Sequence, residues 1–284
     1  MSSLRFMIFD SEPEAARQKK RAQGHAPSAE SFAQTLMRIH PGAVVEEFAP
    51  AETVGAPSGG ITSFHAVFLS GSPLHFYKDT DDVRPIIEFM RAVFESGVPS
   101  FGSCAGLQIA TVAAGGEVGE KGGRREAGIA RLIFQTSQGL KHPLLSGRAP
   151  SFDAPAVHSD EVRKLPADAV LLASSKETKV QAAEIRLNGG LFWGVQYHPE
   201  ISLQEVANAL VNERQELLDG GFVHTNSDLD RYVERLGELD RNPNRLDLAW
   251  QLGLSAELVD PWQRTIEIRN FIDLILEKSA PFSP

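Results

Sequence analysis

The 284-residue sequence contains one cysteine, Cys104, in the stretch Gly102-Ser103-Cys104-Ala105-Gly106. An apolar run (98–101) precedes it, and a helix-forming stretch (107–114) ended by Gly115-Gly116 follows. A lone thiol is most often a small buried hydrophobe. At a strand-to-helix turn between glycines it reads as a nucleophile. Such a turn strains the backbone of its central residue and leaves no room for side chains on either flank. The helix N-terminus favours a thiolate, and its free N–H groups can hold an oxyanion. A thiol nucleophile also needs a base for its proton and an acid for the leaving amine. The segment Phe192-Trp193-Gly194-Val195-Gln196-Tyr197-His198-Pro199-Glu200 supplies both. His198 leaves the end of an apolar strand, and Pro199 stiffens the turn so that Glu200 can orient the imidazole. The carboxyl end of a buried strand is where α/β sheets place their sites.

The elements that must position these residues alternate along the first two-thirds of the chain. Strands are expected at 4–9, 44–48, 66–69 and 98–101, with helices near 31–39 and 83–96. That order is the mark of a mostly parallel sheet flanked by helices. Between about 127 and 197 the pattern changes to strands with tight turns (129–134, 170–173, 180–187, 191–197), which reads as a small antiparallel extension. From 203 onward it is helical: 203–218, 229–239, 246–252 and 263–277, broken at Gly220-Gly221, Pro243 and Pro261. The division expected is an α/β domain over 1–222 and a helical C-terminal extension over 223–284. In the last helix Ile268, Phe271, Ile272 and Ile275 form a stripe that must be buried, on the protein's own domain rather than at a subunit interface.

Composition excludes several classes. A net charge of −9 argues against nucleic acid or an anionic membrane as partner, because both demand clustered Lys and Arg. The short basic runs at 19–21 and 121–125 read as solvated surface. No apolar run spans a bilayer and no signal peptide is visible, so a cytoplasmic location is expected. A single cysteine leaves no disulfide framework and no Cys-rich zinc site. Neither a Walker loop nor a dinucleotide fingerprint is present, so no cofactor and no metal are expected.

With both halves of the site in view, the sequence resembles the class I (triad) glutamine amidotransferases, and within them a freestanding glutaminase domain of the GMP synthetase type. The likeness runs from about Leu4 to Leu218 and rests on ordered motifs. These are the G-x-C-x-G elbow, the Q-x-H-P-E segment, Leu-Ser-Gly-Ser-Pro-Leu-His-Phe-Tyr (69–77) like the oxyanion loop, Gly-Arg-Arg-Glu-Ala-Gly (123–128), and Val-His-Ser-Asp-Glu-Val (157–162). The resemblance implies a flavodoxin-like fold and a Cys104, His198, Glu200 triad. It also implies an oxyanion hole from Gly71, Ser72 and the Ala105 amide, and substrate contacts from Gln108, His158 and Asp160.

The chain departs from the family twice. Gly106-Leu107-Gln108 stands where members have Gly-His-Gln, and Gly71-Ser72-Pro73 where they have Gly-Gly-Pro. A backbone N–H donates whatever its side chain, so Ser72 still qualifies and Pro73 does not. The Ser-Gly-Gly stretch at 58–60 is like the pyrophosphate loop of ATP pyrophosphatases, but Thr62 replaces its acid and it reads as linker. His25, His40, His65, His75, His142 and His224 read as loop or surface residues.

The activity implied is hydrolysis of the glutamine γ-carboxamide to glutamate and ammonia, for a separate synthetase. One alternative is a stand-alone hydrolase of γ-glutamyl amides. Another, of a different class, is a binding or regulatory module.

Overall fold

A computed structural model of the protein describes residues 3–53, 55–122 and 125–279. Gly123 and Arg124 of the 123–128 motif lie outside the described residues, as do Met1, Ser2, Val54 and 280–284. The strands are β1 (Arg5–Phe9), β2 (Val44–Phe48), β3 (Ala66–Leu69), β4 (Ser100–Ser103), β5 (Glu117–Glu120), β6 (Glu126–Gln135), β7 (Ser151–His158), β8 (Asp160–Lys164), β9 (Val170–Ser174), β10 (Ala182–Leu187) and β11 (Gly190–Val195). The helices are α1 (Glu14–Ala22), α2 (Ser28–Ile39), α3 (Val83–Ser96), α4 (Ala105–Ala113), α5 (Leu203–Asn212), α6 (Arg214–Asp219), α7 (Asn226–Arg241), α8 (Leu246–Leu252), α9 (Ala256–Val259), α10 (Pro261–Arg264) and α11 (Ile266–Ser279).

One sheet runs β2-β1-β3-β4-β11-β10-β9-β6-β7, and β5 pairs separately with β8. From β2 to β11 neighbours are parallel, and from β11 to β7 they are antiparallel. The antiparallel extension is thus hydrogen-bonded into the main sheet rather than set beside it. The central strands are buried along their length because helices cover both faces: Ala66-Val67-Phe68-Leu69 and Ser100-Phe101-Gly102-Ser103 are wholly buried. On one face Phe32 and Leu36 of α2 pack with Phe68, Phe101, Trp193 and the Ile268, Phe271, Ile272, Ile275 stripe of α11. On the other, Ile86, Met90 and Phe94 of α3 pack with Leu107 and Ile109 of α4. Helices α5, α7 and α8 share a third apolar cluster.

Several elements differ from expectation. The helix expected from 31 begins at Ser28, and the strand expected at 98–101 ends two residues later, at Ser103. The helix expected over 203–218 is two, α5 and α6. Helix α1, with the whole basic run at 19–21 in its last turn, is an element that the sequence reading does not contain.

Candidate active site

The site forms at the carboxyl ends of β3, β4 and β11. Strand β4 passes into α4 through Cys104 alone, whose φ of 49° and ψ of −104° are outside the comfortable range of an L-residue. Its N–H donates to the Val195 carbonyl at 2.8 Å, which ties the turn to β11. The flanking glycines are sterically required. A Cβ on Gly102 would stand 2.9 Å from Gly106 Cα, and one on Gly106 would stand 2.8 Å from Leu69 Cβ. Strain of this kind costs on the order of 1–3 kcal/mol and persists where surroundings over-determine it.

Strand β11 delivers the second half. The His198 N–H donates to the Pro155 carbonyl at 2.7 Å, fixing the segment after the strand. Its ring Nδ1 lies 2.7 Å from Glu200 Oε1, and Cys104 stands near enough to the ring to act on its charge. The imidazole is 12% exposed and the Glu200 side chain 4%. Burial favours neutral imidazole, but the Glu200 carboxylate and the Cys104 sulfur outweigh it and push the His198 pKa well above its usual 6.5. A protonated ring between a carboxylate and a sulfur is set to give a proton to a leaving group.

Glu200 is held in turn. Its Oε1 accepts from Ser103 Oγ at 2.7 Å, and its backbone carbonyl accepts from Thr35 Oγ1 at 3.1 Å. Its Oε2 is buried without a hydrogen-bond partner.

Gly71 and Ser72 follow β3. A Cβ on Gly71 would stand 3.4 Å from His198 Cε1, so this loop lies against the imidazole. Ser72 Oγ donates to the Ser11 carbonyl at 2.7 Å and accepts from the Leu74 N–H at 3.2 Å, which pins the loop. Ala105 opens α4, so its amide stands outside the helical ladder.

Gln108, His158 and Asp160 gather on the α4 side. Gln108 Nε2 donates to the Asp160 carbonyl at 3.2 Å and to Gln196 Oε1 at 3.4 Å. His158 has both ring nitrogens engaged, Nε2 with Glu126 Oε2 and Nδ1 with the Asp160 carbonyl, each at 2.9 Å. Asp160 Oδ2 meets His75 Nδ1 at 2.7 Å, while Oδ1 is buried without a partner. His75, expected to be an ordinary loop residue, therefore belongs to this cluster; the signal was its place in the 69–77 loop. Ser103 was also missed, and its position beside the cysteine was the signal.

Glu126 closes the cluster from below. Burial raises its pKa, but hydrogen bonds from His158 and Thr178 and the charge of Lys121 hold it at about 2. Among the described residues no group of three or more His, Cys, Asp or Glu is placed to hold a metal ion. None of their helices is long and apolar enough to cross a membrane.

An α/β sheet that presents a strained cysteine at an elbow, beside a buried His–Glu pair, has the form of a thiol-dependent enzyme of amide bonds. The family model for glutamine amidotransferase class I matches residues 33–216, and the chain belongs to that family. A γ-glutamyl-L-1-hydroxyisopropylamide hydrolase from a Pseudomonas species is 35% identical over 230 residues, covering 79% of this chain and 77% of the relative. One subunit of a glutamine-hydrolysing GMP synthase from Ignicoccus hospitalis is 32% identical over 154 residues, covering 54% of this chain and 76% of the relative. A glutamine amidotransferase structure from Thermotoga maritima shares the fold, with a TM-score of 0.64 and 13% identity over 98% of this chain and 100% of that one.

Proposed function

We propose that the protein hydrolyses the γ-carboxamide bond of a glutamyl substrate through a cysteine thioester. The observation that carries this reading is the strained Cys104 at the elbow beside a His198 that meets Glu200 at 2.7 Å. The Cys104 thiolate adds to the γ-carbonyl carbon, and the amides of Gly71, Ser72 and Ala105 receive the oxyanion. The His198 imidazolium gives its proton to the amide nitrogen, the C–N bond breaks, and an amine leaves a glutamyl thioester. Neutral His198 then takes a proton from water, hydroxide adds to the thioester, and the thiolate departs as glutamate is released. Glu200 holds the Nδ1–H tautomer throughout. Gln108 and Asp160 hold the glutamyl part, and His158 braces their turn.

Two leaving groups fit. The similarity to the γ-glutamyl amide hydrolase extends over most of both chains, which favours a stand-alone hydrolase that releases a substituted amine. The similarity to the GMP synthase component supports the second reading, glutamine hydrolysis with ammonia passed to a separate synthetase in the cytoplasm. Steady-state release of amine or ammonia by the protein alone, from glutamine and a panel of γ-glutamyl alkylamides, separates them. Faster turnover of the substituted amides is expected. Turnover of glutamine only, stimulated by a partner, would favour the second reading, and no turnover of any amide under any condition would overturn both.

A further inference from the structure

Ser103 has no part in the scheme above, yet its hydroxyl reaches the centre of it. The residue ends β4, is completely buried, and donates to Glu200 Oε1 at 2.7 Å. The same oxygen accepts from His198 Nδ1 at 2.7 Å, while Oε2 of that carboxylate has no partner. Every side-chain hydrogen bond of Glu200 therefore converges on one oxygen. Two donors on one oxygen hold a buried carboxylate in one orientation more firmly than a single donor does.

We propose that Ser103 is a positioning residue of the catalytic site: its hydroxyl holds the Glu200 carboxylate turned so that Oε1 faces His198. This rests on the Cys104, His198, Glu200 reading of the site. The role is written into the elbow itself. Because β4 alternates its side chains and Cys104 is turned out of the strand by its positive φ, adjacent residues serve the two ends of one relay, sulfur at one end and carboxylate at the other.

Among the described residues, charged groups reach the neighbourhood of the carboxylate from several elements. His198 faces it from the segment after β11, and Cys104 acts on that same ring from the elbow. From α2 comes Arg38, which donates to Thr35 Oγ1 at 2.8 Å, and from α5 comes Glu205, bonded to Ser31. The Lys20–Glu12 ion pair lies beyond Gly71, where Ser28 accepts from Lys20 at 2.7 Å. All of these remain when Ser103 is changed, so a shift on its replacement reports the hydroxyl.

Cys104 is the chain's single cysteine, so alkylation of the full-length protein by iodoacetamide reads this site alone and needs no substrate. The rate should be measured against pH for wild type, Ser103→Ala, Ser103→Thr, Glu200→Gln and the Ser103→Ala/Glu200→Gln double variant. Loss of the donor lets the carboxylate turn away from His198 and weakens its support of the imidazolium that faces the thiolate, so in Ser103→Ala the acid limb should move up by about one pH unit, with a roughly tenfold slower reaction on that limb. Ser103→Thr should restore the wild-type profile, and in the Glu200→Gln background Ser103→Ala should add nothing. An unmoved limb in Ser103→Ala, a uniform slowing at every pH, or a full Ser103→Ala effect without Glu200 would each overturn the proposal. Should the threonine variant fail to fold, the double variant decides alone. The functional reading fails by a different signature: normal Ser103-dependent alkylation in a protein that turns over no γ-glutamyl amide.

Discussion

Each residue of the elbow answers to a different constraint, and together they made the site readable from sequence. Glycines 102 and 106 are dictated by sterics, Cys104 in the proposed mechanism by the need for a thiolate, and Pro199 by the turn that returns Glu200 to His198. Chemistry this tightly coupled to spacing leaves a signature in the chain. For Ser103 and His75 the signal was position alone, beside the cysteine and in the 69–77 loop, because their partners are distant in sequence and a serine or a loop histidine carries no pattern of its own. Replacing Cys104 with Ala should lower amide hydrolysis by at least roughly a thousandfold while circular dichroism stays native, since the turn accepts a small side chain. Glu200→Gln should retain measurable turnover, because the residue orients the ring and makes no bond to substrate. A loss as complete as that of Cys104→Ala would assign it a further role. Glu126 makes a pH prediction. Its folded pKa of about 2 lies below the ordinary 4.5, so its contribution is present in full above pH 4.5 and is lost as pH falls toward 2. The difference amounts to about 3 kcal/mol. Glu126→Gln should be less stable at neutral pH and flatter in acid titration, and an unchanged urea midpoint at pH 7 would contradict this.

At the scale of elements, the strands that build the parallel half were legible because they are short, apolar and separated by clear helices. Helix α1 was not. It has no apolar stripe and is held by ions: Arg17 bonds Asp10 at 2.9 Å and Glu14 at 2.5 Å, and also pairs with Glu52. Strand β7 was missed for another reason, that Pro155 interrupts its pattern; the strand tolerates proline because it forms an edge of the sheet. Helix α11 ties the C-terminal region to the site by a buried polar contact. Glu267, fully buried, accepts from Tyr197 Oη at 2.7 Å and from Arg148 Nε at 2.8 Å. Tyr197 directly precedes His198. Glu267→Ala would strand the buried Arg148 charge and should cost about 3–5 kcal/mol. Calorimetry should show the loss, and a melting temperature within a degree or two of wild type would show that the pair is not coupled to stability.

For the whole molecule, one sheet carries both the candidate site, at the carboxyl ends of its central strands, and the packing of the last helix. Phe271 of α11 contacts Phe68, Phe101 and Trp193 at ring-centroid distances of 5.4, 5.7 and 5.8 Å. Unburying its four-residue stripe would forfeit on the order of 10 kcal/mol, as large as the stability of a typical domain. Deletion of residues 226–284 should therefore give aggregation in sedimentation experiments. A soluble, active truncation would contradict the packing.

The central claim, that Cys104 carries a glutamyl group during amide hydrolysis, is tested most directly by rapid quenching in acid followed by mass spectrometry of the intact protein and its peptides. With glutamine or a γ-glutamyl alkylamide at saturating concentration, the account predicts a transient glutamyl adduct on the peptide containing Cys104, absent in Cys104→Ala. Steady hydrolysis by wild type and Cys104→Ala alike, with no adduct at any time point, would contradict it.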